Sequence, residues 1–127
     1  MKKSICFYIC VCNLTIIFAQ NIHSISPKHF REIIDTDHNE IILDVRTTKE
    51  YNSGHIENAI HINYYKPKFK KKLSQFNRNK NILVYCKSGV RSTNTIKMLK
   101  KLGFKKIYDL EGGIDNWKKQ QYQIVYP

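Results

Sequence analysis

Two short apolar runs, EIILDV at 40–45 and NILVYC at 81–86, constrain this chain more than any other feature. Neither alternates apolar with polar residues, and each carries a chemically active side chain at or near its end, Asp44 in one and Cys86 in the other. An unalternating β-branched run of this length suits a strand covered on both faces. The segments around the two runs read as amphipathic helices. SPKHFREIID places Ser26 as a helix cap and Pro27 in the first helical position, with Phe30, Ile33 and Ile34 as the buried stripe. TTKEYNSG offers a threonine cap and a glycine stop at Gly54. AIHI reads as a short strand and KPKFKKKLSQF as a basic helix. Beyond NILVYC come the helix STNTIKMLKKLG, the strand KIYDL and the helix GIDNWKKQ. Strands alternating with helices through short connections imply an α/β fold, an open parallel sheet with helices on both faces. In such sheets ligands sit beyond the carboxyl ends of the strands, where Cys86 is expected.

The chain has 127 residues, room for one domain. Its start, MKKSICFYICVCNLTIIFAQ, has two lysines, an apolar stretch and a small residue at Ala19, the layout of a signal peptide over residues 1–19. Asn13 and Thr15 interrupt the stretch, which argues against a membrane-spanning helix. The expectation is an exported, periplasmic protein with no stable membrane insertion after cleavage, an uncleaved anchor or a buried N-terminal helix being the alternatives. Cleavage would remove Cys6, Cys10 and Cys12 and leave Cys86 alone. A single cysteine in an exported protein is a reactive thiol or a site of intermolecular pairing.

The net charge of +12 excludes little by itself. The lysines gather in YYKPKFKKKL and IKMLKKLGFKK without an interleaved aromatic platform, so they read as solvated helix faces and general anion steering, with no nucleic-acid partner expected. No exposed apolar stripe argues against a monomer.

The segment CKSGVR, 86–91, carries the chemistry. With the helix starting near Ser92, these residues form a loop whose N–H groups turn around one point, an anion cradle at a helix N-terminus. Helix N-termini and cationic neighbours favour the thiolate, so Cys86 is expected as a nucleophile. Gly89 suits a backbone of positive φ, and the planar fork of Arg91 suits an oxyanion. The substrate-binding set is thus Lys87, Ser88, Gly89, Val90 and Arg91, and the ligand is an anion with an electrophilic atom. The plain alternative for Cys86 is a packed strand cysteine.

The wider sequence resembles the rhodanese family, specifically its small single-domain sulfurtransferases, from about Ile25 to Lys119. LDVRTTKEYNSGHIENAIHI looks like the family's Asp-Val-Arg strand end and the Glu-Tyr-x-x-Gly-His-Ile segment after it. VYCKSGVRS is similar to its Cys-x-x-Gly-x-Arg loop, and LEGGIDNWK to its Leu-x-Gly-Gly-x-x-x-Trp ending. The resemblance implies a single rhodanese domain over residues 25–122 that moves a sulfane sulfur. Cys86 would take the outer sulfur of thiosulfate or a related small anionic donor, hold it as a persulfide, and pass it to cyanide or a thiol. Arg91 would hold the donor's sulfonate end, while Asp44 and Arg46 would brace the loop from behind. No cofactor and no metal are implied, and His55 and His61 share no metal-ligand spacing with Cys86.

His55 reads better as a residue holding a turn than as a general base. Gly112 and Gly113 read as a turn leading into a helix, and Trp117 as core. Asn58 stands where the family often has glycine, and asparagine tolerates the left-handed conformation. Two other readings stay open. Phosphatases and arsenate reductases of the same fold have a loop one residue longer than KSGV. A binding module would use the fold without catalysis, although Cys86 and Arg91 are both present.

Overall fold

The computed structural model describes residues 21–127, and the leader expected over 1–19 lies outside the described residues. The chain runs β1 (Asn21–Ile25), α1 (Pro27–Thr36), β2 (Ile41–Asp44), α2 (Thr48–Asn52), β3 (Ile60–His61), α3 (Phe69–Leu73), β4 (Ile82–Tyr85), α4 (Val90–Leu102), β5 (Lys106–Leu110) and α5 (Gly113–Lys119). The strands form one parallel sheet in the order β1-β5-β4-β2-β3. This is the α/β architecture the sequence pattern implies. After β2 the chain moves outward to β3, and after β4 it moves the other way to β5. The crevice between the carboxyl ends of β2 and β4 is therefore the point where strand order reverses, and Asp44 and Cys86 lie there.

Both central strands are buried along their whole length, and their side chains alternate between two cores. Leu43, Val45, Val84 and Cys86 face one layer with Ile96, Leu99 and Phe104 from α4 and its end. Ile42, Leu83 and Tyr85 face the other with Phe30 of α1 and Ile114 and Trp117 of α5. Full burial of each large apolar side chain contributes roughly 1.5–3 kcal/mol, so these two layers dominate what fixes the strand ends. Trp117 is fully buried, as core, and Asn58 has φ 64, the left-handed backbone that asparagine accommodates.

The ends of the elements carry the differences. β1 was not marked by the sequence pattern, because NIHSI lacks a continuous apolar run, yet it pairs along its length with β5 and begins the sheet before residue 25. α1 starts as expected, with Ser26 accepting the His29 N–H at 3.3 Å and Pro27 in the first turn. α3 keeps only Phe69 to Leu73 of the expected KPKFKKKLSQF, burying those two residues one turn apart. Lys68 provides no side-chain cap, and the short helix ends at Ser74, whose N–H bonds back to the Lys70 carbonyl. α4 begins at Val90, not near Ser92, because Gly89 takes φ 127 and turns the chain into the helix at once. Val90 and Arg91 consequently belong to the first helical turn, and the loop proper is Cys86 to Gly89.

Candidate active site

Cys86 follows the last residue of β4 and is 1% exposed. Its sulfur accepts the Gly89 N–H at 3.0 Å and lies 3.5 Å from the Ser92 hydroxyl. Gly89 is required at this bend, since φ 127 strains any residue with a Cβ. The Gly89 carbonyl is in turn secured by the Thr93 N–H at 3.0 Å, the Thr93 hydroxyl at 2.8 Å and the Ser92 hydroxyl at 3.0 Å.

The other side of the loop is held by α5. The Ile114 N–H donates to the Cys86 carbonyl at 2.9 Å and the Asp115 N–H to the Lys87 carbonyl at 3.1 Å. In a trans peptide the carbonyl and the following N–H point in opposite directions. With the carbonyls of Cys86 and Lys87 drawn toward α5, the N–H groups of Lys87 and Ser88 are turned the other way. The backbone of GG makes this docking feasible, because both glycines have positive φ and Gly113 sits directly against the loop carbonyls. The sequence reading of Gly112 and Gly113 as a turn into a helix was right in kind but missed this contact.

Arg91 does not stand free at the mouth. Its Nη1 and Nη2 donate to the two carboxylate oxygens of Glu50 at 2.7 and 2.8 Å, a bidentate pair, and its guanidinium lies 5.8 Å from the centre of the Tyr65 ring. Glu50 is positioned by Thr47, which caps α2: the Glu50 carboxylate accepts from the Thr47 N–H at 2.8 Å and its hydroxyl at 2.9 Å. Arg91 bonded to it holds the Glu50 carboxyl down at about 2, against burial acting the other way. Glu50 is thus a site residue the sequence reading passed over. Its signal was present in Thr47-x-x-Glu50, the pattern of a capping box.

Asp44 and Arg46 form a buried ion pair, with Nη2 to Oδ2 at 2.7 Å. The Arg46 Nη2 also donates to the Gly54 carbonyl at 2.7 Å, and the guanidinium lies 5.6 Å from the centre of the Tyr85 ring. The pair therefore supports Tyr85, the residue before Cys86, and the turn after α2. The Tyr85 hydroxyl accepts the Ile56 N–H at 3.1 Å, and burial, with Asp44 nearby, pushes its pKa up.

His55 holds its turn as expected. Its Nδ1 lies 3.2 Å from the Tyr51 carbonyl, its backbone bridges Val125, and its ring stacks on Tyr51 at 3.8 Å. His61 also stacks on Tyr51, at 4.6 Å. Lys87 reaches Asp115 at 2.7 Å, with both side chains largely exposed, and Ser88 and Val90 are exposed beside it.

A cysteine at the switch point of a parallel sheet, with four residues between it and an arginine on the first turn of the next helix, places this chain among α/β domains with a cysteine-containing loop at the sheet's carboxyl end. Residues 26–120 match the family model described as rhodanese-like domain, and the chain belongs to that family. It is 36% identical over 78 residues to the thiosulfate sulfurtransferase GlpE of Coxiella burnetii, covering 61% of this chain and 71% of that protein. It is 35% identical over 99 residues to the tRNA uridine(34) hydroxylase of Aster yellows witches'-broom phytoplasma, covering 75% of this chain and 32% of that protein. A Bacillus subtilis relative is 35% identical over 99 residues, and the chain spans 52% of it, so the longer relatives carry parts this chain does not match. Among solved structures, the rhodanese-related protein of Thermoplasma volcanium superposes with a TM-score of 0.73 at 32% identity, covering 83% of this chain and 99% of that one.

Proposed function

We propose that the protein moves a sulfane sulfur from thiosulfate or a related small anionic donor to cyanide or a thiol through a persulfide on Cys86. The observation that carries the reading is the Gly89 N–H directed at Cys86 Sγ at 3.0 Å inside a loop whose carbonyls are drawn away by α5. That arrangement favours negative charge at the sulfur, first on the attacking thiolate and then on the persulfide. The loop N–H groups of Lys87 and Ser88 point away from α5 and suit the anionic end of a donor. Arg91 spends two of its N–H donors on Glu50 and keeps others for the donor, so it both closes the loop and binds. Lys87, Ser88, Gly89 and Val90 line the approach, and Asp44 and Arg46 hold the strand end beneath it.

Export to the periplasm belongs to the same reading and rests on the first nineteen residues alone. Among the described residues, no helix is long and apolar enough to cross a membrane.

Purified protein supplied with thiosulfate and cyanide is expected to form thiocyanate, and Cys86→Ser to abolish it. Mass analysis after thiosulfate alone is expected to show one added sulfur on the peptide containing Cys86. Thiocyanate formation by the Cys86→Ser protein would end the persulfide mechanism.

A further inference from the structure

Two lysine-rich stretches that the sulfur chemistry leaves unused, YYKPKFKKKL and IKMLKKLGFKK, come together in the fold. They border a groove of about 390 Å³ between α3 and α4, which begins one helical turn beyond Arg91 and outside the sulfur-carrying loop. Its floor is apolar. Met98 and Leu102 of α4 and the Tyr64 ring are partly buried against the core beneath that helix. Tyr64 is fixed in turn, its N–H donating to the Val45 carbonyl at 3.2 Å and its ring meeting Phe69 edge-on at 5.2 Å. The core therefore shapes this floor without help from a ligand. The rim is basic: Lys97 and Lys101 stand one turn apart on α4, and Lys70 borders the groove from α3. Neither helix contains an acidic residue. Among the described residues, the side chains of these three lysines make no ion pair or hydrogen bond, and the Asn94 amide and Tyr64 hydroxyl in the same groove are unbonded too.

We propose that this groove is a second binding site, for a small organic anion that joins a compact apolar body to a phosphate, sulfonate or carboxylate group. Its volume falls within the ~300–1,000 Å³ of small-ligand clefts. Tyr64, Met98 and Leu102 offer apolar surface that the body of such a ligand would remove from water, and the unbranched Met98 side chain adapts to its shape. Three ammonium groups with no carboxylate on the rim attract an anion, and lysine holds a phosphate-like group as a point charge. The Asn94 amide and the Tyr64 hydroxyl add donors that fix its orientation. A protein partner fits less well, because lysine is depleted at protein interfaces, where aromatic residues and arginine serve as anchors. A bare inorganic anion would leave the floor uncovered, and a neutral apolar molecule would leave the lysines unpaired. The occupant needs both halves.

The test needs no sulfur donor, so its failure is distinct from failure of the sulfurtransferase reading. The chain has two methionines, Met1 and Met98, so labelling the methionine methyl groups gives one nuclear magnetic resonance signal inside the groove. The full chain is titrated with three probes at constant ionic strength: naphthalene sulfonate, which has both halves, naphthol, which lacks the charge, and inorganic sulfate, which lacks the apolar body. Naphthalene sulfonate is expected to move the Met98 methyl signal saturably, through the ring current of the bound naphthalene. Naphthol is expected to bind about tenfold more weakly, since it gains nothing from three exposed cations, and sulfate to give no saturable shift. A triple variant, Lys70→Gln with Lys97→Gln and Lys101→Gln, is expected to weaken naphthalene sulfonate by about the same factor and to leave naphthol unchanged. Three results would each overturn the proposal: no saturable Met98 shift with naphthalene sulfonate, equal affinity for naphthol, or undiminished affinity in the triple variant. Tighter binding at Met98 by an acidic peptide with leucine at every third or fourth position would overturn it in favour of a protein partner. Should the triple variant not fold, the comparison of the sulfonate with naphthol on the wild type decides alone.

Discussion

The backbone of Gly113 lies so close to Cys86 that a Cβ placed on it would stand 2.6 Å from the Cys86 carbonyl oxygen. The Lys87 carbonyl is closer still, and both carbonyls accept N–H groups from the start of α5. Gly113 also has φ 62, which disfavours a side chain independently of space. Gly113→Ala is expected to push α5 off the loop and turn the N–H groups of Lys87 and Ser88 out of line. Strain and lost bonds together are expected to destabilise the protein by about 2–4 kcal/mol, read from urea unfolding. Thiocyanate formation is expected to fall further than the folded fraction does.

The Arg91–Glu50 pair sets a defined pH response. The bonded Arg91 guanidinium holds the Glu50 carboxyl down at about 2 in the folded protein, below the ordinary carboxylate range. A depressed carboxylate pKa contributes stability that is fully present above the unfolded value and lost as pH falls through the folded one. The stability difference between wild type and Glu50→Gln is therefore expected to be constant from neutral pH down to about 5 and to vanish as pH drops toward about 2. Glu50 is partly exposed, so the difference at neutral pH is expected to be only about 1 kcal/mol. Urea unfolding at a series of pH values tests this, and a difference that grows on acidification would contradict it.

The fold was legible where sequence periodicity and burial coincide. EIILDV and NILVYC are central strands because parallel strands covered on both faces need continuous apolar runs, and Ser26 and Thr47 cap helices because their hydroxyls lie three residues before a free N–H. β1 was not legible, since an edge strand with one covered side need not be apolar throughout. Cys86, Gly89 and Arg91 were marked by their own motif. The partners that hold them were not: Glu50 reaches Arg91 from 41 residues away, and Gly113 reaches the loop from a different helix. Such contacts are set by strand order, which places α2, α4 and α5 around one crevice, and local patterns carry no record of it.

The Asp44–Arg46 pair is buried, with both side chains at 3% exposure or less. Arg46→Ala is expected to leave the Asp44 charge uncompensated beneath Tyr85 and to release the Gly54 carbonyl. The loss is expected to be about 3–5 kcal/mol. Replacing both residues by apolar ones of similar volume is expected to cost less than the single change, because no unpaired charge remains. A thermal melt of the two variants separates these outcomes, and a double variant less stable than Arg46→Ala would show the pair to be more than mutual compensation.

Lys87 and Asp115 form an exposed pair at the mouth of the loop, and exposed pairs contribute little to stability. Asp115→Asn is accordingly expected to leave the unfolding midpoint nearly unchanged. Its effect falls on the approach of the donor, because it frees the Lys87 ammonium for a small anion. The KM for thiosulfate is expected to fall by about twofold to fivefold at low salt, and the gain to fade as salt screens the site. Lys87→Ala is expected to raise that KM by a similar factor while changing kcat little, since Lys87 attracts the donor and takes no part in breaking its S–S bond. A loss confined to kcat would instead place Lys87 at the reacting sulfur.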